Sequence, residues 1–568
     1  MNFLLHRMAP MSSVFACVLA AAPTLSCATT LHVDAYSASA SDAGPGSATL
    51  PFRTLTYAAS KLQPGDTLII GPGTYRESLA LPTRTWSSGA TTTIQGDPGG
   101  RTLLKGSRIM ASWTQVAPDR FVRTVSVEPQ QVHLQGAPLK QVAGTVFGGF
   151  PDTPGHSLSS VLSSNGGIWP GRVTGDRTTM PAGSFHFDKQ SQTVMIRTLP
   201  GQAFPGLAEV STASRVISGN GLNNLVIRNL NVEHSNTTVN SRGGAIHLEG
   251  SSIQIDRVVV RNTDGACISA IGNNITISSG KFQNCGQLGI LGRGRNWVIS
   301  DSDFSRNNTR GFNKWWEAGG AKFVGDGGLQ DSVLIRVSAT ENYGDGIWFD
   351  WMNAGNRVTN SYAGFNAGFG IHTEVVERTL IDNNVVVGNT QRGIYHRQGS
   401  HNTFAFNFVS HNGLDGIAVV DEGQRVAGSP FDFSVKDNWI VGNMIAWNNP
   451  GLSIPAPLAD NISNLNYFIG DTAGTRLRIG WGAYMSRAAW KAAGLDTHSL
   501  WRDYTSAVRP AIVSTSALKQ QLAWAQKLRS GSEPFSSTLI DRLKLREVGL
   551  LGRTDWRAGP DTTTWLGP

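Results

Sequence analysis

The sequence predicts an all-β protein built on a parallel β-helix, with an inserted β-rich subdomain and a partly helical C-terminal tail. A short sequence motif recurs four times with a glycine at the same position. These glycines, at spacings of 24, 23 and 23 residues, are Gly346, Gly370, Gly393 and Gly416. The runs between them are rich in Val, Ile and Asn, with no helical segment between strands. Glycine supplies 65 of the 568 residues, and Gly and Asn tolerate the left-handed backbone that tight turns require. A repeat in the low twenties of this composition is typical of stacked strands.

Residues 1–28 have the pattern of a secretory signal peptide. Two basic residues precede the apolar run VFACVLAAAPTL, and the segment Ser-Cys-Ala ends at Ala28. The run is interrupted by Pro23 and is too short to span a membrane. We therefore expect cleavage near Ala28 and a secreted or periplasmic protein, with a lipid anchor at Cys27 as the alternative.

Residues 29–100 are predicted to form an N-terminal cap and the first coils of the β-helix. One helix, from about Leu55 to Leu62, would cover the open end of the strand stack, because terminal coils otherwise expose their edges. Residues 101–210 interrupt the repeat with the alternation of ordinary antiparallel strands, including the hairpin SFHFDKQSQTVMIRTL. We interpret them as an inserted β-subdomain.

Residues 211–450 are predicted to form the main stack. Gly244, Gly265 and Gly289 continue the glycine series. The glycine spacing is interrupted at residues 311–328, where a longer segment rich in aromatic and charged residues is inserted: GFNKWWEAGGAKFVGDGG.

The repeat is lost past residue 450 in the sequence PGLSIPAPLADN. Residues 451–568 are therefore predicted to be a capping region. Within it, SALKQQLAWAQKLRSG (516–531) has the apolar spacing of an amphipathic helix.

Cys267 and Cys285 are the cysteines that follow the signal segment. An exported protein meets an oxidising compartment, which favours disulfides. The two cysteines lie two residues after and four residues before repeat glycines, so the repeat does not stack them. A disulfide and a pair of buried thiols both stay open, and neither cysteine has the spacing of a metal ligand.

The chain carries a net charge of +8 and has a pI near 9.4. The positive charge is diffuse, with no basic block, basic helix or nucleic-acid motif. We expect neither a nucleic-acid nor a membrane partner, and no motif predicts a cofactor or a metal. The charge permits an acidic polysaccharide partner without requiring one.

Asp350 and Glu374 each follow a repeat glycine by four residues. Equivalent positions on consecutive coils lie about 4.8 Å apart, which places these carboxylates side by side. Two like charges so close push their pKa values apart, leaving one acid and one anion. Retaining glycoside hydrolases use such a pair at about 5–5.5 Å. We predict that both residues are catalytic, and we interpret Asp345 and Asp415, which directly precede repeat glycines, as turn acids.

A second row of side chains lies two residues after the glycines. Trp348, His372 and Tyr395 occupy it, and Lys322 joins it two residues after Gly320. Offsets of two and four share a parity, so this row faces the same way as the carboxylates. We predict that these four side chains line a substrate site for sugars.

Three further residues are candidates for substrate binding. Trp316 is either a core residue or a flat platform for a sugar ring. Glu317 is either a third acid near the site or a salt-bridge partner for Lys322. Arg397, one coil beyond Glu374, could lower the pKa of that carboxyl, bind a substrate carboxylate or form a structural ion pair.

The amino-acid sequence from Trp315 onward resembles that of a known family. WWEAGGAKF, GDGIWFDWMNAGNRVTN and GIHTEVVERTLIDNNVVVGN are similar to secreted right-handed parallel β-helix proteins of the pectate-lyase-like superfamily, above all the β-xylosidase-type glycoside hydrolases of family 120. The resemblance covers about residues 31–440. It implies a right-handed helix, with Asp350 as the nucleophile and Glu374 as the acid/base. Arg397 departs from the less polar residue expected there.

Three classes of function are compatible with these features. The first is a retaining glycoside hydrolase acting on a polysaccharide or its oligomers. The second is a polysaccharide lyase or C5-epimerase, which would need a base among Lys322, His372, Tyr395 and Arg397 and neutralisation of a uronic-acid carboxylate. The third is a non-catalytic carbohydrate-binding β-helix.

Overall fold

The computed structural model describes residues 28–503 apart from 83–85, 87–88, 143–175, 238–242, 313, 326 and 471–475. The backbone winds as a parallel β-helix that carries an inserted subdomain of mostly antiparallel strands, in agreement with the predicted fold class. The expected signal peptide and the 516–531 helix lie outside the described residues. Within the described ranges, no helix is long and apolar enough to cross a membrane.

The N-terminal cap is a short helix that closes one end of the strand stack. Thr54 begins it by accepting a hydrogen bond from the backbone N of Tyr57 at 3.2 Å. Leu55, Ala58 and Ala59 face the core, so the predicted helix is confirmed. The elements of this region are β1 (Thr30–Val33), α1 (Leu55–Lys61), β2 (Thr67–Ile70), β3 (Gly73–Tyr75), β4 (Leu79–Ala80), β5 (Thr92–Gln95) and β6 (Thr102–Lys105).

The inserted subdomain begins at Ser107, later than residue 101, because β6 pairs in parallel with the main stack. Its strands form two small sheets around an apolar centre that includes Val132, Phe185 and Ile196. They are β7 (Ser107–Met110), β8 (Thr114–Ala117), β9 (Arg120–Thr124), β10 (Val132–Leu134), β11 (Ala137–Pro138), β12 (Lys140–Val142), β13 (Ser184–Asp188), β14 (Thr193–Arg197) and β15 (Ala208–Ser211).

The main stack has three sheets that run along the helix axis. Three long strands begin it: β16 (Ile217–Glu233), β17 (Gly244–Arg261) and β18 (Ala266–Ser278). The first sheet continues through β20 (Leu288–Arg295), β22 (Gly319–Phe323), β23 (Leu329–Gln330), β26 (Asp345–Ala354), β29 (Ile371–Glu377), β32 (Ile394–Arg397), β35 (Ile417–Val420), β38 (Leu452–Ile454) and β41 (Leu477–Ile479).

The other two sheets complete each coil. The second sheet contains β21 (Val298–Ser300), β24 (Val333–Ile335), β27 (Arg357–Thr359), β30 (Leu380–Asp382), β33 (Thr403–Ala405), β36 (Trp439–Val441) and β39 (Ile462–Asn464). The third contains β19 (Lys281–Gln283), β25 (Ser338–Thr340), β28 (Tyr362–Gly364), β31 (Val385–Val387), β34 (Phe408–Ser410), β37 (Met444–Ala446), β40 (Tyr467–Gly470) and β42 (Leu500–Asp503).

The stack continues past residue 450, so the prediction that the repeat ends there is wrong. β38 pairs with β35 and β41 pairs with β38, and Leu452, Phe468 and Leu477 fill the same core as the earlier coils. A longer loop separates Gly416 from Gly451 and hides the period in the sequence. The last helix, α2 (Arg487–Ala492), buries Trp490.

Asparagine ladders hold the turns between the third and first sheets. The backbone N of Asn366 donates to Oδ1 of Asn389 at 3.1 Å, and Nδ2 of Asn366 donates to the same atom at 2.9 Å. Asn389 repeats both contacts with Asn412 on the next coil. Because turn backbone groups buried in this way must be paired, the ladder explains the abundance of asparagine at the strand ends.

Cys267 and Cys285 form a disulfide, with their Cα atoms 5.6 Å apart. This settles the question that the repeat spacing left open. Both residues are fully buried in the interior of the β-helix.

Candidate active site

Strand register in the first sheet produces two rows of functional side chains. Because every coil repeats the same path, residues at equal distances from the glycines become cross-strand neighbours. One row runs Lys322, Trp348, His372, Tyr395. The other runs Asp350, Glu374, Arg397.

A cavity of about 410 Å³ opens on these two rows. All nine side chains that the sequence predicted as catalytic or substrate-binding line it: Trp316, Glu317, Lys322, Trp348, Asp350, His372, Glu374, Tyr395 and Arg397. Sequence reasoning missed five other lining residues: Trp315, Val324, Asp345, Phe369 and Arg392.

Asp350 is paired with a buried ammonium group. Lys322 Nζ lies 2.9 Å from Asp350 Oδ2, and only 3% of the Lys322 side chain is exposed. The same Nζ donates to the carbonyl of Trp316 and lies 3.3 Å from the centre of the Trp348 ring. The ammonium is thus held in place from three sides, with its charge directed at the Asp350 carboxylate. Glu317 is buried in the cavity wall.

Glu374 has the opposite character. Burial raises the pKa of Glu374, and the neighbouring Asp350 raises it further, while His372, Arg397 and Lys322 oppose both effects. Arg397 Nη1 lies 3.1 Å from Glu374 Oε1, and His372 Nε2 lies 3.8 Å from Glu374 Oε2. The net effect is a carboxyl group that retains its proton to a higher pH than an ordinary glutamate.

The chain turns sharply directly after each residue of the acidic row. The following residues all have left-handed backbone: Trp351 at φ 63°, Val375 at φ 54° and Gln398 at φ 69°. For a β-branched residue this conformation is strained, and Val375 is held in it by packing against Phe431 and Phe433. A β-bulge follows Asp350 and brings one extra residue into β26. The carboxylates therefore stand next to fixed bends within β26 and β29.

A loop at residues 421–436 forms one side of the site, and sequence reasoning missed it. Glu422 Oε1 accepts a hydrogen bond from the Tyr395 hydroxyl at 2.7 Å, and its Oε2 lies 2.6 Å from Arg397 Nη2. Burial and this carboxylate raise the pKa of Tyr395 well above its usual range. The extra length between Gly416 and Gly451 was the available signal for this loop.

Asp345 and Asp415, predicted to be turn acids, also orient neighbouring side chains. Asp345 begins β26 and is buried, and its Oδ2 lies 2.8 Å from His372 Nδ1. Because a carboxylate accepts this bond, Nδ1 of His372 carries the proton. Asp415 is also buried and pairs with Arg392 at 2.8 Å and Arg478 at 3.2 Å. Asp345 also accepts a hydrogen bond from the backbone N of Phe369 at 2.8 Å, so it holds a turn in addition to orienting a cavity side chain.

The cavity offers hydrogen-bond donors as well as acids. Trp348 Nε1 and Arg397 Nε are buried and have no hydrogen-bond partner among the described residues. Across those residues, no group of three or more His, Cys, Asp or Glu side chains could hold a metal ion. The site can therefore supply acid, anion and polar binding groups.

Comparison with known proteins supports the fold. Residues 244–409 and 316–454 match the family model described as "Right handed beta helix region". No curated protein matches the sequence. The family match supplies the handedness that the resemblance implied.

Solved structures extend the likeness to most of the chain. The structure of XylC with xylose has a TM-score of 0.59 at 16% identity, covering 79% of this chain and 86% of that one. A structure described as a glycoside hydrolase has a TM-score of 0.50 at 13% identity, covering 83% and 99%. The A-module of a mannuronan C-5 epimerase from Azotobacter vinelandii has a TM-score of 0.41 at 11% identity, covering 79% and 91%. At these identities the likeness concerns the right-handed parallel β-helix fold.

Proposed function

We propose that the protein is a secreted or periplasmic carbohydrate-active enzyme, a retaining glycoside hydrolase acting on a polysaccharide or its oligomers. The observation that carries the proposal is the contrast between two stacked carboxyl groups. Asp350 lies 2.9 Å from the buried ammonium of Lys322, whereas burial raises the pKa of Glu374 on the next coil. Retaining hydrolysis needs one ionised and one protonated carboxyl group side by side.

In the first step Asp350 attacks the anomeric carbon as a carboxylate. The glycosidic C–O bond breaks, and Glu374 gives its proton to the leaving oxygen. Strand neighbours lie about 4.8 Å apart, close to the separation of about 5–5.5 Å that covalent attack requires. A water molecule between the two groups would need about 6.5–9.5 Å, so the spacing favours retention over inversion.

In the second step Glu374, now ionised, takes a proton from water. The hydroxide attacks the same carbon, the ester to Asp350 breaks, and Asp350 leaves as the carboxylate. Lys322 stabilises that carboxylate in both the starting and the final state. Arg397 Nη1 lies 3.1 Å from Glu374 Oε1 and stabilises the anionic form of Glu374 between the two steps.

The remaining lining residues suit a sugar substrate. Trp315 and Trp316 line the cavity with indole rings, and Trp348 Nε1 is a buried donor without a partner among the described residues. Sugars bind to such combinations of aromatic faces and polar groups. The two most similar folds reported above include a structure with bound xylose and one described as a glycoside hydrolase, which agrees with this substrate class.

The lyase or epimerase alternative is less well supported. It needs a cation to neutralise a uronic-acid carboxylate and a base to remove a proton. Tyr395 already donates its hydroxyl proton to Glu422. Each cationic side chain on the cavity wall faces a protein carboxylate: Lys322 with Asp350, Arg392 with Asp415, and Arg397 with Glu374 and Glu422.

Hydrolysis of a panel of aryl glycosides and of xylans, arabinans, pectins and bacterial exopolysaccharides tests the proposal. Asp350→Asn and Glu374→Gln should each lower kcat by at least about 1,000-fold, with unchanged circular dichroism. Glu341→Gln, an exposed acid in the turn after β25, is the matched control. Proton NMR of the first product should show retained anomeric configuration.

Two outcomes would overturn the proposal. Full activity in both variants would show that the two carboxylates take no part in the reaction. An unsaturated product that absorbs in the ultraviolet would assign the lyase reaction instead, because hydrolysis adds water and leaves no double bond.

A further inference from the structure

A second cavity of about 410 Å³ lies at the junction between the inserted subdomain and the β-helix. The strand β10 and its flanking turns form one wall, and the turns of four successive coils form the other. Pockets for small molecules occur preferentially at such junctions. None of the residues predicted from the sequence as functional lines this cavity.

Two buried polar atoms on its floor have no hydrogen-bond partner among the described residues. They are Oε1 of Gln130, a residue 2% exposed, and Nδ1 of His133, a residue 3% exposed. The backbone of Gln130 is firmly held, because its N donates to Asn236 Oδ1 at 2.6 Å and its carbonyl accepts from Arg310 Nη1 at 2.6 Å. Buried polar atoms normally find a partner, so these two indicate a ligand that supplies one.

The floor is rigid. The ring of His133 stacks on that of His234 at a centroid distance of 3.8 Å and an angle of 6°. His234 Nδ1 in turn lies 2.9 Å from Glu209 Oε1. Glu209 also contacts Arg76 at 2.6 Å and Lys105 at 3.2 Å, and this ionic cluster joins the subdomain to the β-helix. A cavity fixed in this way is preformed for binding.

The lining combines apolar and polar groups. It contains side-chain amides and hydroxyls, including Gln131, Thr263 and Thr309, apolar residues such as Leu139, and the exposed Lys140. The guanidinium of Arg310 is committed to Asp264 at 2.8 Å and to the Gln130 carbonyl. Burial lowers the pKa of His133 to about 3, so its ring is neutral. A neutral imidazole and a carboxamide oxygen bind hydroxyl groups, which both donate and accept.

We propose that this junction cavity is a second carbohydrate-binding site, which takes a neutral segment of a glycan through Gln130 and His133. One loop connects it to the catalytic cavity, since Thr309 and Arg310 line the junction while Trp315 and Trp316 line the catalytic site. The proposal does not depend on the hydrolytic mechanism.

Calorimetric titration of Asp350→Asn protein with neutral trisaccharides from xylan, arabinan, mannan and β-glucan tests it. We expect at least one trisaccharide to bind. Adding Gln130→Met and His133→Phe, which keep size while removing the polar atoms, should weaken that binding at least tenfold. His186→Phe, at a histidine in the other sheet of the subdomain, is the matched control and should leave binding unchanged.

A second variant keeps the test decisive if the floor substitutions unfold the protein. Thr309 is exposed at the cavity mouth, so Thr309→Trp should block entry without disturbing the core. Binding of every trisaccharide at full affinity in Thr309→Trp and in the floor variant would overturn the proposal, as would the absence of any binding. Aryl-glycoside hydrolysis should survive Thr309→Trp, because Thr309 lines the junction cavity and not the catalytic cavity.

Discussion

Lys322 Nζ lies 2.9 Å from Asp350 Oδ2, and both residues project from adjacent strands of the first sheet. This ion pair gives the two stacked carboxyl groups, Asp350 and Glu374, different charge environments. Asp350 is balanced by a buried cation, whereas partial burial raises the pKa of Glu374. If their environments were the same, the two adjacent carboxylates would compete for one proton.

Removing the ammonium should therefore damage catalysis more than binding. We expect Lys322→Met to lower kcat about 100-fold. The Asp350 carboxylate, which attacks in the first step and leaves in the second, would lose its charge partner in a buried site. Steady-state kinetics on the best aryl glycoside would measure it. Lys281→Met, at an exposed lysine on β19, is the control, and a change of less than threefold in Lys322→Met would contradict the prediction.

The pH dependence of kcat/KM should reflect the ionisation of Glu374. Because the acid must be protonated and burial raises its pKa, kcat/KM should fall as pH rises through that pKa. Arg397 lowers the pKa of Glu374, so Arg397→Gln should move the alkaline limb to higher pH. Profiles from pH 4 to 9 would show the movement, and a shift to lower pH would be incompatible with the assigned acid.

Acid should destabilise the fold through His396. Burial lowers the pKa of His396 to about 4, below the value of about 6.5 in an unfolded chain. The unfolded state therefore binds more protons between these values, and stability present above pH 6.5 is lost as pH falls towards 4, by up to about 3 kcal/mol. Urea unfolding at pH 7 and pH 5 should show a smaller difference in His396→Leu than in the wild type. Equal pH dependence in both proteins would refute the assignment.

The disulfide should contribute measurably to stability. Cys267 and Cys285 are separated by 18 residues, and closing a loop of this size stabilises the fold by about 3 kcal/mol. We expect the double variant Cys267→Ala, Cys285→Ala to unfold at lower urea concentration by that amount. Reductant should affect the wild type and not the variant. Two titratable thiols in the unreduced wild-type protein, unfolded in urea, would show that the bond does not form.

The asparagine ladder should be sensitive to single truncations. Asn389→Ala removes the acceptor for the backbone N of Asn366 and leaves that buried group unpaired. We expect a loss of about 2 kcal/mol in the free energy of unfolding. Asn273→Ala, at an exposed position of β18, should change it by less than about 0.5 kcal/mol. Similar losses in both variants would mean that the ladder contributes little.

Much of the site could be predicted because parallel coils repeat by translation. Equal offsets from the repeat glycines placed Asp350 beside Glu374 and Trp348 beside His372, and the strand register agrees with both. The contribution of Glu422 could not be predicted in this way. It reaches Arg397 from a loop whose length departs from the period, so no offset relates the two residues.

The sequence by itself determined the fold and the neighbours within each row, since a regular period fixes which backbone positions stack. Only the tertiary structure decided how each neighbour behaves. The partner of Lys322, the burial of Glu374, the pairing of the cysteines and the coils beyond residue 450 all depend on contacts between segments of irregular length. Register is a local and repeating property of strands, whereas burial and charge pairing arise where loops from distant parts of the chain pack together.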